Sequence, residues 1–200
     1  MREVELKAVI ADPQAIETRL AEVGAGLEFR GVMRDKRYDT LQNGLSSRDE
    51  VLRLRTYHSE AGVRASLDWK GPAETLSGYK VREEISTGVT DAEATMAMLQ
   101  RLGYVVIREI DRRIAQYSLG GTMLRVEVFP RMDALIEIEG DPPDMESAIE
   151  LLQMRRGDFT AEALSAFVSR FERRTGVAHS HEAIKHRHGV RRHRGTDRAR

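Results

Sequence analysis

The feature that most constrains the fold is an alternation of charged and apolar residues that recurs along most of the chain. Residues 2–9 read Arg-Glu-Val-Glu-Leu-Lys-Ala-Val, so that nearly every second side chain is charged. This period of two is typical of a β-strand whose two faces meet different surroundings. It returns near residues 29–40, 51–57, 63–70, 78–86, 104–119, 121–129 and 134–139, and predicts about eight strands.

Four amphipathic helices are predicted between and after these strands. Asp12-Pro13 supplies an N-cap and a first-turn proline, and Thr90-Asp-Ala-Glu93 is a capping-box sequence. Pro142-Pro143 opens the third helix, and Thr160 is the expected cap of the last. Because few connections are long enough for a crossover, one continuous antiparallel sheet of the α+β class is the simplest arrangement.

Composition narrows the class of protein further. The chain is 40% apolar, which is enough for a buried core, and it has no cysteine, which excludes disulfides, thiolate metal sites and thiol catalysis. No apolar run reaches the roughly 20 residues that span a bilayer, and the N-terminus does not resemble a signal peptide. We therefore expect a soluble, cytoplasmic protein without a membrane partner.

The chain divides into a body and a basic tail. Residues 178–200 contain seven Lys or Arg, two Asp or Glu and five of the six histidines, and within them residues 186–200 have almost no apolar content. Such a segment cannot offset its ordering entropy by burial, so it is predicted to be disordered. Residues 1–177 are predicted to form one domain.

The charged face of the sheet has two interpretations. Alternation by itself favours a sheet with its polar side in water. However, the four helices can cover the apolar side, and the charged side would then line the interior of a closed barrel. Barrels of about eight strands have room for a small ligand.

A charged interior would favour a particular kind of ligand. Buried Lys and Arg need anionic partners, and a polyphosphate offers oxygens that guanidinium groups bind in pairs. Carboxylates two residues apart on a strand point to the same side, which makes Glu3/Glu5 and Glu137/Glu139 two candidate metal-binding pairs. With no thiol and a single histidine in the body, magnesium or manganese fits better than zinc.

A series of motifs resembles the CYTH domain superfamily, the triphosphate tunnel metalloenzymes. The N-terminal Glu3-Val-Glu-Leu-Lys7 matches the family's Glu-x-Glu-x-Lys signature. It is followed in the right order by Asp35-Lys-Arg-Tyr-Asp-Thr40, Leu52-Arg-Leu-Arg55, Trp69-Lys-Gly-Pro72, Arg82-Glu-Glu84, Val126-Glu-Val-Phe-Pro130 and Leu135-Ile-Glu-Ile-Glu-Gly140. The resemblance covers the chain from Met1 to about Phe171.

This resemblance implies a closed eight-stranded β-barrel tunnel with helices packed on the outside, which holds a triphosphate and Mg²⁺ or Mn²⁺. The implied triphosphate-binding residues are Lys7, Arg53, Arg55, Lys70, Arg82, Arg113 and Arg125. The implied metal-binding residues are Glu3, Glu5, Glu127, Glu137 and Glu139, and the implied catalytic residues are Glu3, Glu5, Lys7 and Glu127. Arg113 is preferred over Arg112 because it shares parity with Glu109 and Asp111, although a β-bulge would reverse that choice.

The resemblance leaves the reaction open. A metal-dependent phosphohydrolase acting on tripolyphosphate, or on a nucleoside or thiamine triphosphate, is the first expectation. A class IV adenylate cyclase, which makes cyclic AMP and pyrophosphate from ATP, is the alternative, and a non-catalytic polyphosphate- or nucleotide-binding module is a further one. The expected partner is a small triphosphate-containing molecule; no specific nucleic acid is expected, and a homodimer is compatible with this interpretation.

Overall fold

The computed structural model describes residues 2–177, and its elements follow the predicted order closely. The tail predicted to be disordered lies outside these residues. The elements are β1 (Arg2–Ile10), α1 (Pro13–Glu22), β2 (Gly26–Thr40), β3 (Val51–Ser59), β4 (Gly62–Lys70), β5 (Glu74–Leu76), β6 (Tyr79–Val89), α2 (Ala92–Arg101), β7 (Tyr104–Leu119), β8 (Thr122–Val128), β9 (Ala134–Glu139), α3 (Pro142–Leu151) and α4 (Leu164–Thr175). Two short 3₁₀ turns cover Ser46–Arg48 and Arg156–Asp158.

The strands form a closed antiparallel barrel. The pairing order is β1-β9-β8-β7-β2-β3-β4-β6, and β6 returns to β1 to close the ring. The closing register places Glu3 opposite Arg82 and Glu5 opposite Lys80. The predicted eight-stranded barrel of the α+β class, mainly antiparallel β, is therefore confirmed.

The apolar parity of the strands faces outward and is covered by helices. Helices α1 and α3 bury Leu20, Met145 and Ile149 against the outer faces of β1, β8 and β9. Helix α2 buries Leu99 against the outer faces of β2 and β3, where Tyr38 and Leu54 lie. Since the helices take up the apolar side, the charged side is left to line the interior.

Helix α4 closes one end of the barrel rather than its flank. Phe167 and Val168 pack against Ile110 and Leu135, two apolar side chains at positions of the inward-facing parity. Three residues at the start of the helix, Ala163, Leu164 and Ser165, line the interior cavity.

Two local predictions differ from the structure. Helix α4 begins after Ala163 without a side-chain cap, and Thr160 instead pairs with Lys7 through two backbone hydrogen bonds of 3.0 and 2.8 Å. The predicted cap at Thr160 is therefore wrong, because this residue is used to extend the sheet. Strand β5 was not predicted. Its three exposed residues lie between Gly71-Pro72 and the Ser77-Gly78 turn, and three residues are too few to show an alternation of charged and apolar side chains.

Among residues 2–177, no helix combines the length and the apolar character that crossing a bilayer requires.

Candidate functional site

The interior of the barrel is a charged cavity of about 690 Å³. Side chains of both signs line it from all eight strands of the ring and from the loop at Asp49. The cations are Lys7, Arg37, Arg53, Arg55, Lys70, Lys80, Arg82, Arg108, Arg112 and Arg125, and the carboxylates are Glu3, Glu5, Asp35, Asp49, Asp68, Glu84, Glu127, Glu137 and Glu139. The charged face is therefore internal, and the solvent-facing interpretation of the alternation is wrong.

Strand β1 supplies the acidic and basic groups of one wall. Lys7 lies 2.6 Å from Glu5 and 3.0 Å from Glu137, and Lys80 makes a further ion pair with Glu5. Burial alone would raise the pKa of Glu5, but Lys7 and Lys80 lower it to about 2. At neutral pH Glu5 is therefore a fixed anion between two ammonium groups.

Glu3 differs from Glu5 although it lies only two residues away. Its carboxylate is 2.5 Å from the Lys70 ammonium, which also lies 3.1 Å from Glu84. Burial outweighs the attraction of Lys70, and with Glu5 and Glu84 nearby the pKa of Glu3 is raised. One ammonium group therefore does not offset burial and the charges of Glu5 and Glu84 at Glu3.

Strand β9 contributes two carboxylates with opposite behaviour. Glu137 lies 2.9 Å from Arg125 and 3.0 Å from Lys7; burial opposes ionisation, but these two cations hold the pKa of Glu137 well below its usual range. Glu139 has no Lys or Arg of residues 2–177 within 4 Å. Burial, followed by the charges of Glu3 and Glu137, raises the pKa of Glu139 to about 7.

The opposite wall, built by β2, β3, β4 and β7, is a network of ion pairs. Arg55 donates to both oxygens of Asp35 at 2.6 and 2.9 Å in a forked pair, and Arg53 donates from Nε and Nη2 to one oxygen, Oδ2, of Asp68 at 2.9 and 2.8 Å. Burial would raise the pKa of Asp35, but Arg55, Arg112 and Arg53 hold it well below its usual value. Forked pairs of this kind fix guanidinium groups in place, so the arginines present their remaining N–H donors in a defined direction.

The structure corrects the choice between Arg112 and Arg113. Arg112 is 6% exposed and lies 2.7 Å from Glu127 and 3.1 Å from Asp35 inside the barrel. Arg113 is exposed on the outer face. The parity argument that favoured Arg113 is wrong because Glu109 and Asp111 lie on the outer face, where they pair with Lys36 and Arg34.

The other predicted site residues all line the cavity, but they are not equally free to bind a ligand. Arg82 lies at one mouth, where it donates to the carbonyl oxygens of Gly71 and Asp49. Glu127 pairs with Arg112. Sequence reasoning missed Asp35 and Asp68 as partners of Arg55 and Arg53, and the register of neighbouring strands, which fixes these pairs, was the signal required to find them.

The surroundings of Glu139 decide whether the described carboxylates could hold a divalent cation. No set of three Asp, Glu or His side chains within residues 2–177 is arranged closely enough to ligate a metal, because lysines and arginines hold most of the carboxylates. Burial, followed by the charges of Glu3 and Glu137, raises the pKa of Glu139, which lacks an ion pair with the described cations. An Mg²⁺ or Mn²⁺ ion beside Glu3 and Glu139 would supply the missing positive charge, and oxygen ligands are those that both ions prefer.

Comparison with known proteins places the chain in a family. The model of the CYTH domain matches residues 1–156, and the chain belongs to the CYTH domain family. No curated protein matches the sequence significantly.

Solved structures share the fold at low sequence identity. A candidate adenylate cyclase from Vibrio parahaemolyticus is 20% identical with a TM-score of 0.72, and the match covers 84% of this chain and 97% of that one. The PH1819 protein from Pyrococcus horikoshii OT3 is 22% identical with a TM-score of 0.67, over 84% and 98% of the two chains. HpAC1 from Hippeastrum, a candidate adenylyl cyclase described as having a dominant triphosphatase activity, is 18% identical with a TM-score of 0.62, over 90% and 99%.

Proposed function

We propose that this chain is a divalent-metal-dependent phosphohydrolase that binds the triphosphate group of its substrate in the barrel. The observation that carries the proposal is the closed lumen, in which ten Lys and Arg side chains converge on about 690 Å³. Most of them are oriented by forked or bridging ion pairs before any ligand enters. Family membership and a relative with a dominant triphosphatase activity also support it.

The luminal lysines and arginines would bind the phosphate groups of the substrate. Arg53, Arg55 and Arg112 are held by carboxylates and direct their remaining donors into the lumen, where they would bind phosphate oxygens and offset the charge that develops during phosphoryl transfer. Lys7, Lys70 and Arg125 would contribute further contacts to the phosphate oxygens of the bound triphosphate. Because strands surround the lumen, its contacts with phosphate would be screened less than contacts on the outer surface.

The metal ion is expected at the carboxylates of β1 and β9. Glu139 and the neighbouring Glu3 would hold Mg²⁺ or Mn²⁺, with Glu5 and Glu137 on the same two strands. Every predicted ligand except Glu139, including Glu127, is paired with a lysine or an arginine. When bound, the ion would neutralise phosphate charge and act as a Lewis acid. The described side chains would orient the bound triphosphate so that a water molecule can attack its terminal phosphorus in line with the leaving group.

A class IV adenylate cyclase is the second candidate function. It is favoured by an aromatic group beside the cavity: Tyr57 lines the lumen, and Phe29 meets it edge to face at 5.3 Å. The guanidinium of Arg64 lies 4.2 Å from the centre of the Tyr57 ring. Such a group can hold a heterocycle by stacking, which a cyclase requires and hydrolysis of tripolyphosphate does not.

Product identification distinguishes these functions. The purified chain is given tripolyphosphate, ATP or thiamine triphosphate with Mg²⁺ or Mn²⁺, and the products are separated. Orthophosphate supports the hydrolase, cyclic AMP with pyrophosphate supports the cyclase, and binding without any product would favour a binding module.

Glu5→Gln tests whether the lumen performs the reaction. The substitution removes the anion between Lys7 and Lys80, so we expect turnover to fall by about 100-fold or more, a typical cost of losing one electrostatic group in a site. Glu83→Gln is the matched control, because Glu83 neighbours the barrel closure but is exposed. Equal activity of the two variants would contradict the assignment.

A further inference from the structure

Two arginines of the lumen, Arg37 and Arg108, lie side by side without a role in the site described so far. Arg37 on β2 is the register partner of Arg108 on β7 and of Arg53 on β3. Both line the same cavity as the predicted triphosphate-binding residues. The register between β2 and β7 shifts immediately after this pair. Three guanidinium-bearing residues therefore form a row across neighbouring strands.

Among residues 2–177, Arg37 and Arg108 differ from the other luminal cations in having no carboxylate within 4 Å. The remaining eight each lie within 4 Å of at least one carboxylate, as Lys80 does with Glu5. Within residues 2–177, no carboxylate comes that close to Arg37 or Arg108. The Nε atom of Arg37 is also buried and has no hydrogen-bond partner in this part of the chain.

The surroundings of Arg37 are dominated by positive charge. Burial, together with Arg53, Arg108 and Arg112, lowers its pKa to about 10, against the attraction of Asp35. Asp35 does not pair with Arg37; its two oxygens accept from Arg55 and Arg112. Arg37 thus stays a cation at neutral pH, in a place where an unpaired buried donor is costly.

We propose that Arg37 and Arg108 form an additional anion subsite that binds a phosphate oxyanion directly beside the triphosphate site. The inference rests on the proposed triphosphate binding and extends it to a fourth phosphoryl group. Two sources share this chemistry: the next unit of a phosphoanhydride chain of four or more phosphates, and free orthophosphate.

The subsite would set which substrates the tunnel prefers. Arg53 already takes part in the triphosphate site, so a fourth phosphoryl group beyond it would meet the two free guanidinium groups without any rearrangement of ion pairs. A substrate of only three phosphates would leave both of them unpaired. We therefore expect longer chains to bind more tightly than tripolyphosphate.

The test compares binding of tripolyphosphate and tetrapolyphosphate to the full-length chain by titration calorimetry in the presence of a chelator, so that no turnover occurs. A third titration adds orthophosphate to protein saturated with tripolyphosphate. The variants are Arg37→Gln and Arg108→Gln, and the matched control is Arg34→Gln. Arg34 is on the same strand as Arg37, but it is exposed and lies 3.3 Å from Asp111 on the outer face.

The subsite predicts that wild-type protein prefers tetrapolyphosphate, and that each luminal variant lowers this preference by about tenfold, as expected for one charge-assisted contact. If the variants instead abolish orthophosphate binding beside tripolyphosphate, the subsite is supported with free phosphate as its ligand. Unchanged preference and unchanged orthophosphate binding in both luminal variants would overturn it, as would equal losses in Arg34→Gln.

Failure of the subsite can be distinguished from failure of the proposed function. Release of orthophosphate from tripolyphosphate by wild-type protein with Mg²⁺ tests the function alone. A chain that hydrolyses tripolyphosphate but shows no effect of Arg37 or Arg108 on binding refutes only the subsite. A chain that discriminates between the two polyphosphates but releases no product refutes only the hydrolase.

Discussion

Glu139 is the luminal carboxylate whose surroundings least favour its charge. Its pKa is raised from an ordinary value of 4.5 to about 7 by burial and by Glu3 and Glu137, whereas Lys7 and Arg125 keep Glu137 ionised. Two carboxylates on the same strand therefore differ in their charge near neutral pH. Both residues are glutamates, so the difference in their pKa arises from the positions of Lys7 on β1 and Arg125 on β8, which lie beside Glu137.

This difference predicts how stability depends on pH in the metal-free protein. Because the folded state raises the pKa of Glu139, the stability that this carboxyl contributes is present below pH 4.5 and is lost as the pH rises through about 7. Glu139→Gln mimics the protonated form and avoids this loss. At about pH 8 we expect the variant to be more stable than wild type by roughly 1–3 kcal/mol, and at about pH 5 nearly equal to it.

Urea denaturation with a chelator measures this effect at both pH values, with Glu83→Gln as an exposed control. Parallel pH profiles of wild type and Glu139→Gln would contradict the proposed environment of Glu139.

The neighbours Arg112 and Arg113 give a second test at the scale of single residues. Arg112→Lys keeps a positive charge near Asp35 and Glu127 but loses the forked guanidinium, so we expect kcat/KM for a triphosphate to fall by about tenfold. Arg113→Lys should behave as wild type, since this side chain lies outside. The reverse ranking, with folding checked by circular dichroism, would restore the original preference for Arg113.

At the scale of elements, parity along each strand is what could be read from the sequence. The hairpin of β3 and β4, the barrel class and the inward position of Glu3, Glu5 and Lys7 all follow from alternation and from the family's motifs. Alternation did not identify the inward-facing residue at Arg112 and Arg113, because charged residues occupy both faces of β7 there. Only the pairing of β7 with β2 and β8 decides which of the two arginines faces inward.

Helix α4 shows what alternation cannot predict. Its amphipathic pattern predicted a helix, but its position depends on Ile110 and Leu135, apolar residues at inward-facing positions of β7 and β9. At these two positions the inward-facing side chains are apolar rather than charged, and Phe167 packs against them. The apolar residues on both sides of this contact are visible in the sequence, but only closure of the barrel brings them together.

This packing makes α4 a stability element at the end of the tunnel. Phe167 is 3% exposed, so Phe167→Ala should lower the free energy of unfolding by about 3–5 kcal/mol, as for other large-to-small changes in a core. Ser169→Ala on the exposed side of the same helix is the control and should change little. Denaturant titration measures both; a small effect of Phe167→Ala would show that α4 is not packed across the barrel end.

At the scale of the whole molecule, the balanced composition of 32 basic and 32 acidic residues conceals a concentration of charged groups of both signs inside the barrel. Removing so many charges from water costs free energy that ion pairing only partly returns, so the lumen is a poor device for stability. A polyanion and a divalent cation would satisfy the charges that ion pairs leave over, namely the free arginines and the crowded carboxylates. The fold thus gives up stability to maintain a charged lumen.

A crystal structure of the chain grown with Mn²⁺ and a non-hydrolysable tripolyphosphate analogue would show whether the lumen binds a triphosphate together with a divalent metal. Anomalous scattering locates the metal independently of the phosphates. We predict the analogue inside the barrel, in contact with Arg53, Arg55 and Arg112, and manganese beside Glu3 and Glu139. A ligand bound only on the outer surface, or manganese away from the β1 and β9 carboxylates, would contradict the account.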